Sequence, residues 1–243
     1  LTLSGDNTYS GNTTVSAGTL ALTGTTNNIS SSAIIDVTSG ATLDVSGLSS
    51  GFELAGSQTI SGSGTVFGDM TIASGSVLSP GNSPGTMSTG AQTWEDGGTY
   101  LWEINASNDA GGTQGADPGW DWLDITGTLD LSSLTAGGFT IDIDSLTSGN
   151  IAGDAVGFES YTKADGIFDY SFIIATASSG ITGFDADNFT LDSSGFSNAP
   201  GWDWQIKLSG GDLVLEAYAV PEPSSSALLG LGALALALRR RRA

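Results

Sequence analysis

Histidine and cysteine are both absent from the 243 residues. That removes the Ser-His-Asp triad, thiol catalysis, disulfides and His-ligated zinc. Ahead of the C-terminal tail, reactivity rests on carboxylates, hydroxyls and two lysines, Lys163 and Lys207. Two runs gather oxygen ligands: FDADNFTLD brings Asp185, Asp187 and Asn188 together, and DPGWDWLD brings Asp117, Asp121 and Asp124. Hard oxygens at such spacing suit calcium. Neither run has the EF-hand order or the GGxGxD nonapeptide of calcium-binding rolls, so the plainer reading is a solvated acidic face, with Asp185, Asp187 and Asn188 kept as calcium candidates. No other metal and no cofactor is expected.

A glycosidase needs two carboxyls about 5 to 9.5 Å apart across a groove. Asp142 with Asp144, or Asp36 with Asp44 on neighbouring coils, could meet that distance. No lysine or arginine stands between Leu1 and Gly90, which argues against a lyase with a cationic base or an anionic-substrate clamp. GNSPG and SGSG are glycine-rich but lack the Lys-Ser or Lys-Thr of a phosphate loop. The expectation is no enzyme and no catalytic residue, with a polysaccharide hydrolase as the alternative.

Aromatic residues offer a second chemistry. All six tryptophans lie between Ala91 and Ala219, and PGWDW occurs twice, at Pro118–Trp122 and Pro200–Trp204. One reading is structural, a Pro-Gly turn that delivers Trp onto a strand, where burial of its ring seals a core. The other is a sugar-stacking platform of Trp120, Trp122, Trp202 and Trp204, because strand alternation puts both Trp of each pair on one side.

These groups must be positioned by strands. TLALTG (19–24), TLDVSG (42–47) and MTIASG (70–75) are short alternating runs stopped by glycine, the first two 23 residues apart, and no helical period is sustained before the tail. A recurrence of about 20 to 25 residues defines units too small to bury their own apolar face, so they stack as a solenoid. Glycines supply positive φ at its corners, and Asn27 and Asn28 suit the same turns. The formal net charge of −20 repels phosphate backbones and excludes nucleic acid as a partner.

The opening LSGDNTYSGNTTVSAGTLALTG resembles the autotransporter-associated β-strand repeat at Gly5, Asn7, Thr8, Tyr9, Gly11, Val15, Gly18, Thr19 and Leu20. GSVLSPGNSPGTMSTG (75–90), DWLDITGTLDL (121–131) and SFIIATASSGITG (171–183) resemble passenger-domain segments as well. The resemblance implies a right-handed parallel β-helix carried outside the cell. No set of alternating strands follows Ala219 that could form a membrane barrel. The chain starts without a charged and apolar leader and is expected to be a fragment or processed form.

The tail, VPEPSSSALLGLGALALALRRRRA, differs in kind. Ser224 to Leu238 carries no charge, and four of the six basic residues of the chain are Arg239 to Arg242. Fifteen helical residues reach about 22 Å, short of a hydrocarbon core of about 30 Å, which suits a transient tether. Arginines stay on the cytoplasmic side, leaving the acidic body outside. Val220, Pro221, Glu222 and Pro223, the apolar run, and Arg239, Arg240, Arg241 and Arg242 resemble the PEP-CTERM sorting signal of Gram-negative bacteria. That resemblance implies an exosortase, a membrane-embedded protease, as partner, with cleavage near Pro-Glu-Pro.

The expected architecture is therefore all-β: solenoid repeats over 1–90, a continuing solenoid or sandwich-like Trp-bearing region over 91–219, and a sorting helix over 220–243. The expected role is an exported, envelope-sorted structural or adhesin-like protein of the cell surface or biofilm matrix. It is held briefly at the inner membrane through 224–238, with exopolysaccharide as a further partner. A secreted carbohydrate-active enzyme or glycan-binding module is the alternative.

Overall fold

The computed structural model describes residues 1–54, 56–158, 170–198 and 201–219. Its backbone is a parallel β-helix with three faces. The first face holds β1 (Thr2–Leu3), β2 (Thr19–Gly24), β3 (Thr42–Leu48), β4 (Thr65–Phe67), β5 (Thr86–Thr89), β6 (Trp122–Ile125), β7 (Tyr170–Ala177), β8 (Trp202–Ser209) and β9 (Asp212–Ala219). Sheet order is β1-β2-β3-β4-β5-β6-β7-β9-β8. The second face stacks Thr13–Val15, Ile34–Val37, Thr59–Gly62, Val77–Pro80, Thr99–Ile104, Phe139–Ser145 and Phe189–Asp192 in parallel. The third stacks Phe52–Leu54, Met70–Ile72, Gln92–Trp94, Leu129–Asp130 and Ile181–Thr182.

Register follows the repeat. Thr19, Thr42, Thr65 and Ser88 lie side by side at steps of 23 residues and face outward. One residue on, Leu20, Leu43, Val66, Thr89, Ile125 and Ala177 form the matching inward row. Alternation within each strand makes the inner row contiguous from coil to coil, so no coil has a core of its own. TLALTG and TLDVSG are neighbours, as their spacing predicts, but MTIASG is not the next member: Met70–Ile72 lies on the third face. The next member is β4, a three-residue strand whose short apolar run carries little periodic signal.

Corners need glycine where chain passes chain. At Gly81 φ is +85°, and a Cβ there would sit 1.9 Å from the Ser83 carbonyl oxygen. Asn27 and Asn28 bridge coils: Asn27 donates to the Glu53 carbonyl and the Gln58 side chain, and Asn28 to the carbonyls of Leu3 and Thr23.

The parallel ladder crosses Gly90 without interruption and continues to β7. Beyond β5 the coils are lengthened by insertions, so Ser88 pairs with Asp124 and Asp124 with Thr176. The hairpin β8–β9 then ends the ladder by pairing antiparallel to β7. Aromatic rings fill these wider coils. Trp94 stacks on Phe139 at 4.4 Å and 9°, both fully buried. Trp94 donates its indole N–H to Gln92, and Gln92 donates to Thr89, so the polar groups beneath the stack are satisfied.

Candidate functional site

The second face turns acidic outside the wider coils. Thr99–Ile104 lies against Phe139–Ser145, and that strand against Phe189–Asp192, which sets Glu103 opposite Asp144 and Asp142 opposite Asp192. Alternation points all four outward while Trp102, Ile141 and Ile143 point in. Burial, followed by repulsion from Asp144, raises the Glu103 carboxyl. Asp144 is raised by burial and then by Asp192, and Asp142 by burial, Asp144 and Asp192. Asp192 is lowered, because Ser194 donates to it.

Under this patch Asp121 is fully buried. Its Oδ1 accepts the Gly85 N–H and its Oδ2 the Glu103 N–H, both at 2.9 Å. Burial drives its pKa well up, the Glu103 charge adds to that, and the two backbone donors oppose it. It ties the GNSPG corner to the next coil. The trio Asp117, Asp121 and Asp124 is thereby split. Asp117 accepts side-chain N–H groups of Asn105 and Asn150 in an exposed insertion, and Asp124 stands on the outer face of β6. Asp121 was not legible as a buried acid, because strict alternation puts it on the side opposite Trp120 and Trp122 and so cannot bury it together with Trp120. Both are buried, since the chain changes strand between them.

The calcium candidates take a local role. Asp185 caps a 3-10 turn at Ala186–Asn188, accepting the Asp187 N–H, and the Asn188 N–H bonds the Asp185 carbonyl. Among the described residues no group of three or more acidic side chains converges as a metal-ion site. Asp142 and Asp144 follow one another along a single outer face, whereas Asp36 and Asp44 lie on different faces and do not meet as neighbouring-coil partners.

The tryptophans also separate. Trp120 is buried edge-on to Phe172 at 5.1 Å and donates to the Ile173 carbonyl. Trp202 is buried against Phe158 and Tyr170, and Trp204 packs on Trp102 and Phe196. Trp122 alone lies on the outer face, half-buried, with its indole N–H on Thr176. Since the Trp120–Trp122 pair straddles a strand change, the expected common side is not formed, and the four rings make no single platform. Beside Trp122's register partner Thr86, a corner groove of about 380 Å³ is lined by Ser39, Ser63, Asn82, Ser83, Thr86 and Asp117.

The sorting residues Val220, Pro221, Glu222, Pro223 and Arg239 to Arg242, and the expected apolar helix, lie outside the described residues. What leads to them is clear. β9 is paired on both sides, and its last residue, Ala219, is buried and in register with Trp202.

Fold and tail together define a β-solenoid whose final strand leads into an envelope-sorting signal. Residues 219–242 match the PEP-CTERM protein-sorting motif, and residues 1–22 match the passenger-associated-transport-repeat. The motif implies recognition by an exosortase and export with envelope-directed sorting in a Gram-negative bacterium. No curated protein matches the chain.

Proposed function

We propose that the chain is a structural, adhesin-like surface or matrix protein and not an enzyme: an acidic rod displayed outside the cell, with the sorting tail removed by exosortase. The observation that carries this reading is the junction, where a sorting motif over 219–242 begins on the last strand of a parallel solenoid. A solenoid offers extended flat faces in proportion to its coils, which suits display and contact better than enclosure of a substrate. The acidic outer patch supports solubility outside the cell and discourages contact with anionic surfaces.

A second reading, binding of exopolysaccharide, is favoured by the hydroxyl-lined corner groove beside the half-exposed Trp122. Mass spectrometry of C-terminal peptides from envelope and medium tests the first reading. Mature chains are expected to stop near Glu222, and retention of Arg242 in every fraction would sink it. Incubation with a glycan panel is expected to release no reducing ends. Release that disappears in Asp142→Asn would establish an enzyme instead.

A further inference from the structure

The tail has no spacer. β9 runs to Ala219, and the sorting motif starts at that same residue. The strand is central, held by β7 on one side and β8 on the other, with Trp202 opposite Ala219 and Asp203 opposite Tyr218. Ala219 is 2 % exposed and Ala217 wholly buried. The Tyr218 hydroxyl donates to Asp203 at 2.7 Å, and Trp202 is fixed in turn by Phe158, Tyr170 and Phe196. The body-side neighbours of Pro221–Pro223 are therefore sheet residues: Tyr218 and Ala219 are paired to β8, and Ala217 is paired to both β8 and β7.

Proteases bind an extended segment of several residues around the scissile bond, so residues already paired within a sheet must first open. Where opening and closing are fast relative to cutting, the cutting rate follows the population of the open form. We propose that the C-terminal end of β9 gates removal of the sorting tail: exosortase cuts after Tyr218 and Ala219 leave Asp203 and Trp202. Processing is thereby coupled to the fold, since the pairs that must open are the last ones of the hairpin that closes the solenoid. A body still unfolded presents the motif at once, and a folded body presents it slowly. This proposal rests on the reading that the tail is cut near Pro-Glu-Pro.

The test is a pulse-chase of the full chain in a host that contains its exosortase. A Gly-Ser spacer of about six residues between Ala219 and Val220 separates Pro221–Pro223 from the paired end of β9. It is expected to speed cleavage about tenfold, the ratio set by about 1.4 kcal/mol of opening. Tyr218→Phe removes one hydrogen bond from the gate and keeps the ring. It is expected to speed cleavage about threefold in the direct chain and not at all behind the spacer. An unchanged rate with the spacer overturns the gate. A slower rate also overturns it and shows that the enzyme reads the end of the body. If neither chain is cut, the sorting reading itself fails, which is a different result from either.

Discussion

Glu103 and Asp144 face each other directly on adjacent parallel strands, on the outer side of the solenoid. Lys207 is the one lysine or arginine among the described residues, and it pairs with Glu216 at 2.5 Å on the terminal hairpin. Asp142 facing Asp192 extends the same patch by a coil, and the buried Asp121 lies beneath it. Like charges in register oppose strand pairing. The inward row of the same strands, with Trp102, Ile141 and Ile143 buried, must offset that repulsion.

The stability of the protein is therefore expected to rise on mild acidification. Glu103, Asp142, Asp144 and Asp121 all have folded-state pKa values above their unfolded ones. The folded chain holds protons that the unfolded chain releases, so stability falls as pH rises from the ordinary carboxylate range through the raised values. Asp96, Asp130 and Asp192 are lowered by hydrogen bonds from Thr135, Ser132 and Ser194, and act oppositely below that range. Thermal melts followed by circular dichroism are expected to give a higher Tm at about pH 5 than at about pH 8, with 0.5 M salt narrowing the gap by screening. A Tm that climbs steadily from pH 5 to pH 8 contradicts the patch as described.

Glu103→Gln keeps the shape and removes one charge of the facing pair. At neutral pH it is expected to stabilise the chain by up to about 1 kcal/mol, read from urea denaturation. At a pH where Asp144 is protonated the gain is expected to vanish, and a gain that persists there would assign it to something other than repulsion.

Asp121→Ala is expected to act the other way. The Gly85 and Glu103 N–H groups lose their acceptor in a buried site, costing about 2 to 4 kcal/mol even after relief of the buried carboxyl. The same variant removes part of the pH dependence above, so denaturation at two pH values separates the lost hydrogen bonds from the lost titration.

Much of the architecture was legible in the residues: the strand class in TLALTG and TLDVSG, the coil length in their spacing, the corners in the glycines. The tail was legible because Pro-Glu-Pro, an uncharged run and four arginines stand in that order in the sequence alone, within the range matched by the sorting motif. Asp121 and the four tryptophans were not, because their placement depends on insertions that bring distant strands into contact. Trp120 reaches Ile173 and Trp122 reaches Thr176, neighbours that no local period encodes. The third member of the outward hydroxyl row was missed at β4 because a three-residue strand between glycines has too few positions to show alternation.

The tryptophans finally divide by what they support. Trp94→Ala removes a fully buried ring stacked on Phe139, and its loss leaves a void in a coil whose neighbours depend on the same row. It is expected to cost about 3 to 5 kcal/mol. Trp122→Ala removes a half-buried ring from an outer face and one hydrogen bond to Thr176, so its cost is expected to stay near 1 kcal/mol. The contrast matters for function as well as stability. If soluble neutral oligosaccharides bind in the groove beside Thr86, Trp122→Ala is the variant that should weaken them without unfolding the rod. Calorimetric titration against urea midpoints for both variants separates the two roles, and equal destabilisation by the pair would place Trp122 in the core after all.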